Sequence, residues 1–203
     1  MSVYPQLKTT IERAKSLPVP KERKAALEEL IIYIRKKIDQ GKTVNLNFIC
    51  THNSRRSQFS QIWAQTAADC YGVETSCFSG GVEVTAFNER AVASIKRAGF
   101  RVTQNGRHNP KYHVFHSDDA APITAFSKVF DDQANALSQF AAVMTCSHAD
   151  ENCPFIPGAE ARIPIRYEDP KIFDGTPEEE ARYDERSLQI ASEMFYVFSR
   201  IHS

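Results

Sequence analysis

One segment limits what this chain can fold into more than any other. An apolar stretch, Val44-Asn45-Leu46-Asn47-Phe48-Ile49, runs into Cys50-Thr51-His52-Asn53-Ser54-Arg55-Arg56-Ser57. A helical pattern follows at once: Phe59, Ile62, Trp63, Thr66, Ala67 and Cys70 share one face. A strand, a short polar turn and a helix start form a βα unit, the repeating element of a parallel sheet. They also form an anion site, because the first N–H groups of a helix lack internal partners and the macrodipole is positive there. A cysteine at the mouth of such a site is placed to react as its thiolate, the nucleophilic form. Arg56 can fork two hydrogen bonds onto an oxyanion. The five residues between Cys50 and Arg56 bring the chain back around one small anion, so residues 51–57 are the candidate binding loop. Ser57 is positioned to donate a hydrogen bond to the thiolate. A strand-end cysteine by itself is usually core. The arginine and serine at this spacing are what favour chemistry.

The rest of the chain alternates strands and helices. Residues 1–43 read as a helical extension, broken at Pro18-Val19-Pro20, with an apolar stripe at Leu27, Leu30, Ile31, Ile34 and Ile38. Its packing on the same chain is the simpler expectation. Strands are expected at 44–49, 73–79, 100–102 and 140–145, with a further strand-like stretch at 163–167, and helices at 88–98 and after Thr176. Thr176, Pro177 and Glu179 read as a cap, first turn and capping box. Residues 106–132 break the rhythm: strand-like 112–116 and 123–130 flank Asp118, Asp119 and Pro122, as in an inserted β-hairpin. The expected fold is α/β, with a doubly wound parallel four-stranded sheet and helices on both faces. Ligands of such sheets sit at the carboxyl ends of strands, where Cys50 falls.

Composition narrows the function classes. The 203 residues are 42% hydrophobic, and 25 basic residues balance 25 acidic ones, so neither disorder nor a nucleic-acid partner is expected. No apolar run approaches the ~20 residues of a membrane span, and Met1-Ser2-Val3-Tyr4-Pro5 lacks a signal-peptide core, so a cytoplasmic protein is expected. Five cysteines, an odd number, fit functional thiols in a reduced compartment better than a disulfide framework.

Cys-x5-Arg-Ser after an apolar strand resembles the phosphate loop of the low-molecular-weight protein tyrosine phosphatases, a fold shared with thioredoxin-coupled arsenate reductases. The resemblance runs from about Val44 to the C-terminus, marking residues 44–203 as the catalytic domain. It implies that Cys50 attacks an oxyanion, that Arg56 binds its oxygens, and that a later Asp-Pro, here Asp169-Pro170, supplies the general acid. Glu168 is a neighbouring carboxylate that the sequence leaves open. This chain has His52 where the family commonly has glycine, and Arg55 where it often has a second cysteine. Arg55 either adds a cation to the loop or, the reading favoured here, points to solvent.

A second constellation follows the fourth strand: Thr145-Cys146-Ser147-His148-Ala149-Asp150-Glu151-Asn152-Cys153-Pro154. Cys146 and Cys153 resemble the redox pair of the thioredoxin-coupled arsenate reductases. The resemblance implies a relay in which Cys50 forms an adduct with arsenic, Cys146 resolves it, Cys153 frees Cys50, and thioredoxin regenerates the pair. Other readings stay open. The pair is inert, or it protects Cys50 reversibly. Zinc is not expected, since Cys146, His148 and Cys153 lack the usual paired spacing, and no other cofactor is read. Cys70 and Cys77 read as structural. Three functions remain: arsenate reduction, phosphomonoester hydrolysis through a phosphocysteine at Cys50 with Asp169 as acid, and a redox-sensing oxyanion-binding module. Tyr112, Phe115 and Phe126 are candidates for an aromatic rim.

Overall fold

The computed structural model describes residues 2–152 and 155–202. Two helices, α1 (Pro5–Ser16) and α2 (Lys21–Asp39), precede β1 (Val44–Cys50), α3 (Arg56–Tyr71), β2 (Thr75–Gly81) and α4 (Glu89–Arg97). Three strands follow, β3 (Arg101–Asn105), β4 (Lys111–Phe115) and β5 (Ile123–Ala125). The chain continues through β6 (Phe140–Met144), the short α5 (Ser147–Asn152), β7 (Ala159–Pro164), a 3₁₀ turn at Pro170–Phe173 and the long α6 (Glu179–Ser199).

β1 is an inner strand of a parallel sheet ordered β2-β1-β6-β7. Leu46, Phe48 and Ile49 are fully buried, as a strand covered on both faces requires. The expected four-stranded parallel α/β fold is thus present, but its membership differs. Residues 100–102 were expected within this sheet. Instead β3 pairs antiparallel with β4, and β4 with β5, in a separate three-stranded sheet. The reason lies in β3 itself: Arg101, Thr103, Gln104 and Asn105 are exposed, and an inner parallel strand has no solvent face for them. The fourth parallel strand is β7, which begins upstream of the expected 163–167.

α3 is buried on nearly all sides, between the sheet and α6, and Trp63 Nε1 donates to Ser187 Oγ at 2.9 Å. α6 points Tyr183, Ser187, Ile190, Ala191, Met194 and Phe198 inward. It starts two residues beyond Pro177, the expected first helical residue. Thr176 Oγ1 accepts from Glu178 N–H and Glu179 Oε2 accepts from Gly175 N–H, so both groups hold the turn before the helix. In α1, Leu7, Ile11 and Ala14 are buried, and in α2 Leu27, Leu30, Ile31 and Ile34, all on the same chain's core. Each large aliphatic side chain contributes about 1.5–3 kcal/mol by burial. Ile38, expected in the stripe, is partly exposed; Tyr33 and Lys37 take the inner positions and both bind Glu160, each at 2.9 Å.

Candidate active site

β1 and β2 stay in register to the last residue, Cys50 opposite Gly81. The loop then turns tightly against β2: the Thr51 carbonyl accepts the N–H groups of Val82 and Glu83, each at 2.8 Å. A Cβ on Gly81 would lie 2.7–2.8 Å from Glu83 O, Asn53 N and Thr51 O, so only glycine lets the strand approach this closely.

Asn53 organises the loop from inside. It is fully buried and adopts φ +47°, a left-handed angle that asparagine tolerates better than most residues. Its Oδ1 accepts from Lys128 N–H at 3.0 Å, and its Nδ2 donates to Ser57 Oγ at 2.8 Å. With that acceptor position filled, the Ser57 hydroxyl proton is free for Cys50 Sγ, 3.1 Å away. His52 does not need glycine's angles, because the positive φ falls on Asn53. The His52 side chain is exposed, 3.3 Å from Glu83 Oε2, while its carbonyl accepts from Ser127 Oγ at 2.9 Å. Ser54 Oγ is used internally, on Ala86 O at 2.7 Å.

Arg56, the first residue of α3, reaches back under the loop. One terminal nitrogen donates to Tyr167 O at 3.1 Å and the other sits 2.8 Å from Asp169 Oδ2. Its Nε is buried and has no hydrogen-bond partner among the described residues, so one edge of the guanidinium is unspent. Of the two candidate carboxylates, Asp169 is the one on Arg56; Glu168 is exposed. Arg55 departs from expectation. Its side chain is only 12% exposed, its Nε donates to Tyr183 OH at 2.8 Å, and Asp174 lies 3.6 Å away. Tyr183 bonds Asp174 in turn, which gives the buried side of α3 a polar anchor that draws Arg55 inward. Beside the loop a hollow of about 760 Å³ is lined by His52, Ser54, Arg55, Phe87, Tyr112 and Lys171. Tyr112 belongs to this lining and Phe115 and Phe126 do not.

Cys146 leaves the sheet one strand away. Ile49 O accepts both the N–H and the hydroxyl of Thr145, at 2.8 and 2.9 Å, which aligns Thr145 with Cys50. Cys146 comes next. It shares a buried apolar cluster with Cys50, Met144, Ala149 and Ile156. Thr51 Oγ1 lies 3.5 Å from its sulfur and 3.3 Å from His148 Nδ1. Cys153 lies outside the described residues. Cys50, Cys70, Cys77 and Cys146 are free thiols. Burial pushes the Cys70 and Cys77 thiols above their ordinary range, which disfavours the reactive thiolate there.

Four contributors to the site were not singled out from the sequence. Tyr167 offers only a backbone carbonyl, which no residue type announces. Ser127 and Lys128 brace the loop from a distant segment. Gly81 had a visible signal, the Gly80-Gly81 pair ending β2, but only the approach of Thr51 and Asn53 gives it meaning.

No protein-family model matches the chain. Curated relatives do. An arsenate reductase of Staphylococcus aureus (strain Newman) is 30% identical over 150 residues, covering 73% of this chain and 92% of the relative. Arsenate reductase 2 of Staphylococcus epidermidis is 26% identical over 148 residues, with the same coverage. Among solved structures, a low-molecular-weight protein tyrosine phosphatase from T. tengcongensis aligns with TM-score 0.52 at 16% identity, over 75% of this chain and 95% of that one. A YwlE mutant from Bacillus subtilis aligns with TM-score 0.52 at 11% identity, over 79% of this chain and all of the other. These likenesses carry the fold. The 30% identical relative shows that the chain is an enzyme and belongs to the arsenate reductase family, built on the fold of the low-molecular-weight protein tyrosine phosphatases.

Proposed function

We propose that the protein reduces arsenate to arsenite, with Cys50, Cys146 and Cys153 acting in sequence. The Cys50 thiolate attacks arsenic(V) and displaces one oxygen as water, with the anion held by the loop N–H groups and Arg56. The Cys146 thiolate then attacks Cys50 Sγ. The sulfur–arsenic bond breaks, its electron pair stays on arsenic, and arsenite leaves a Cys50–Cys146 disulfide. Cys153 attacks Cys146 Sγ, releases the Cys50 thiolate and forms Cys146–Cys153. An external dithiol, thioredoxin in this reading, reduces that disulfide, which requires a reducing compartment such as the cytoplasm. Residues 44–203 are read as the catalytic unit and residues 1–43 as an extension on it.

The observation that carries this reading is the position of Cys146 beside Cys50, at the same edge of the sheet and in the same buried cluster. Thr51, the residue next to Cys50, has its Oγ1 3.5 Å from Cys146 Sγ, so the second thiol stands against the start of the loop. Phosphomonoester hydrolysis needs neither extra cysteine. One contact favours it as a second activity: Asp169, 2.8 Å from Arg56, is near enough to the anion site to protonate a leaving oxygen.

Arsenite release with thioredoxin and its reductase separates the two. Cys146→Ser and Cys153→Ser are expected to abolish turnover of arsenate while leaving hydrolysis of an aryl phosphate. Normal arsenate turnover in both variants rules out the relay. Aryl phosphate turnover that is robust, lost in Asp169→Asn and kept in Cys146→Ser, with no arsenate reduction, makes the protein a phosphatase.

A further inference from the structure

The Arg56 guanidinium is held by two acceptors, Tyr167 O and Asp169, both in the segment that follows β7. That segment is in turn held from the N-terminal helices. Glu193 of α6 is buried, its side chain 2% exposed, and a carboxylate so placed is tolerated only with a partner. Arg23 of α2 supplies it with a fork: Nε to Oε1 at 2.8 Å and a terminal nitrogen to Oε2 at 2.6 Å. The same Oε2 accepts the Tyr167 hydroxyl at 2.8 Å. The other terminal nitrogen of Arg23 donates to Arg166 O at 3.0 Å, and its guanidinium carbon stands 4.9 Å from the Tyr167 ring centroid. One side chain therefore grips residues 166 and 167 by a carbonyl, a ring and a shared carboxylate. On the far side of this peptide, the Tyr167 carbonyl receives Arg56.

We propose that Arg23 is a positioning residue for the oxyanion site, acting through Glu193 and Tyr167 on Arg56 and Asp169. The N-terminal helices are then part of the site's architecture. This rests on the reading of Arg56 as the oxyanion arginine. The physical case is one of orientation. Both terminal nitrogens of Arg56 are held while its Nε is left unspent, and both holders belong to the 166–169 segment, so a shift of that segment turns the guanidinium. Burial, and then Glu193, push the Tyr167 phenol well above its ordinary value, so it remains a donor to Glu193 throughout the working range. Arg186, on the same helix, is a second cation coupled to Glu193 by charge. It can compensate part of the charge after loss of Arg23, but the grip on Arg166 O and the Tyr167 ring goes with Arg23.

The test compares Arg23→Ala, Arg23→Lys and Tyr167→Phe with Arg35→Ala. Arg35 also ties α2 to α6, but at the far end of that helix, through Arg200 O at 3.0 Å. Steady-state arsenate reduction, inhibition by inorganic phosphate and thermal unfolding are read for each. Arg23→Ala should weaken phosphate inhibition and lower kcat/KM about tenfold, chiefly through KM. Arg23→Lys should recover thermal stability more than phosphate affinity, because lysine keeps the charge and loses the fork. Arg35→Ala should lower stability and leave KM unchanged. If Arg23→Ala fails to fold, Tyr167→Phe, which loses only the hydroxyl, carries the test, with a KM rise of a few-fold. Wild-type KM and phosphate inhibition in both Arg23→Ala and Tyr167→Phe overturn the proposal. Arg56→Ala separates the two layers: activity surviving in it refutes the reading of the site, whereas its loss beside intact Arg23→Ala and Tyr167→Phe refutes the positioning role of Arg23 alone.

Discussion

The loop after β1 and the segment after β6 leave the same edge of the sheet on neighbouring strands, yet they are secured differently. Residues 50–57 are tied from inside. Asn53 is fully buried and satisfied on both ends of its amide, Ser57 is aimed at Cys50, and Gly81 admits the turn at closest approach. The segment after Cys146 packs Ala149 into the buried cluster around Cys50 and is otherwise tied by charge. α5 spans only Ser147–Asn152, and Asp150 holds it by ion pairs to Arg162 and Arg166 of the next strand and its extension. The Asp150 carboxylate is only 9% exposed, while its partners Arg162 and Arg166 are 29% and 50% exposed. The difference suits the two tasks proposed for these segments. A nucleophile must be held in one geometry, since small misplacements are expensive. A thiol that accepts and passes on a disulfide must sit on a segment that opens at low cost.

Gly81→Ala is the sharpest way to break this comparison. The new methyl group meets only backbone, so the loop must shift, and arsenite release should fall on the order of 100-fold. A variant within twofold of wild type would mean the loop is not held by close approach. Asn53→Ala removes both amide contacts and should lower single-turnover attack by Cys50 about tenfold, with a stability loss of about 2 kcal/mol by denaturant unfolding. Lys128 tests the brace through pH. Burial pushes its amine from 10.5 down to about 8, with Asp132 opposing and Lys111 adding. The unfolded chain therefore keeps this proton to higher pH than the folded one. Stability rises as pH climbs from about 8 to 10.5 and is lost again as pH falls through about 8, a change on the order of 3 kcal/mol. Lys128→Met keeps the backbone N–H to Asn53, so the difference in Tm between wild type and variant should grow in favour of wild type across that window. A flat difference removes the buried cation from the account. The smallest effect on the chemistry is expected for Asp150→Asn: a stability loss of roughly 1.5–3 kcal/mol and unchanged attack by Cys50 in a single turnover. Loss of that first step would show the two segments to be one rigid unit.

How much could be read in advance depended on the distance along the chain. The end of β1 at Cys50, the start of α3 at Arg56 and the inner stripe of α6 are local periodicity, and the structure places them as their spacing implies. Residues 101–105 were harder. A short strand pattern does not say which sheet it joins, and the polar side chains of β3 became decisive only against a sheet covered on both faces. Arg55 was misread because its partners, Tyr183 and Asp174, lie more than a hundred residues on. The Tyr167 carbonyl was invisible because backbone acceptors carry no residue signature.

By itself, the sequence determined a strand–loop–helix unit with a cysteine at the strand end and an arginine at the helix start, because hydrophobic period, helix start and loop length act within about thirty residues. The tertiary structure alone decided what stands around that loop. Placing β6 beside β1 brings Cys146 to Cys50, and the segment after β7 brings Asp169 to Arg56, across gaps of about a hundred residues. Strand order is a choice among non-local pairings, and no local propensity encodes it.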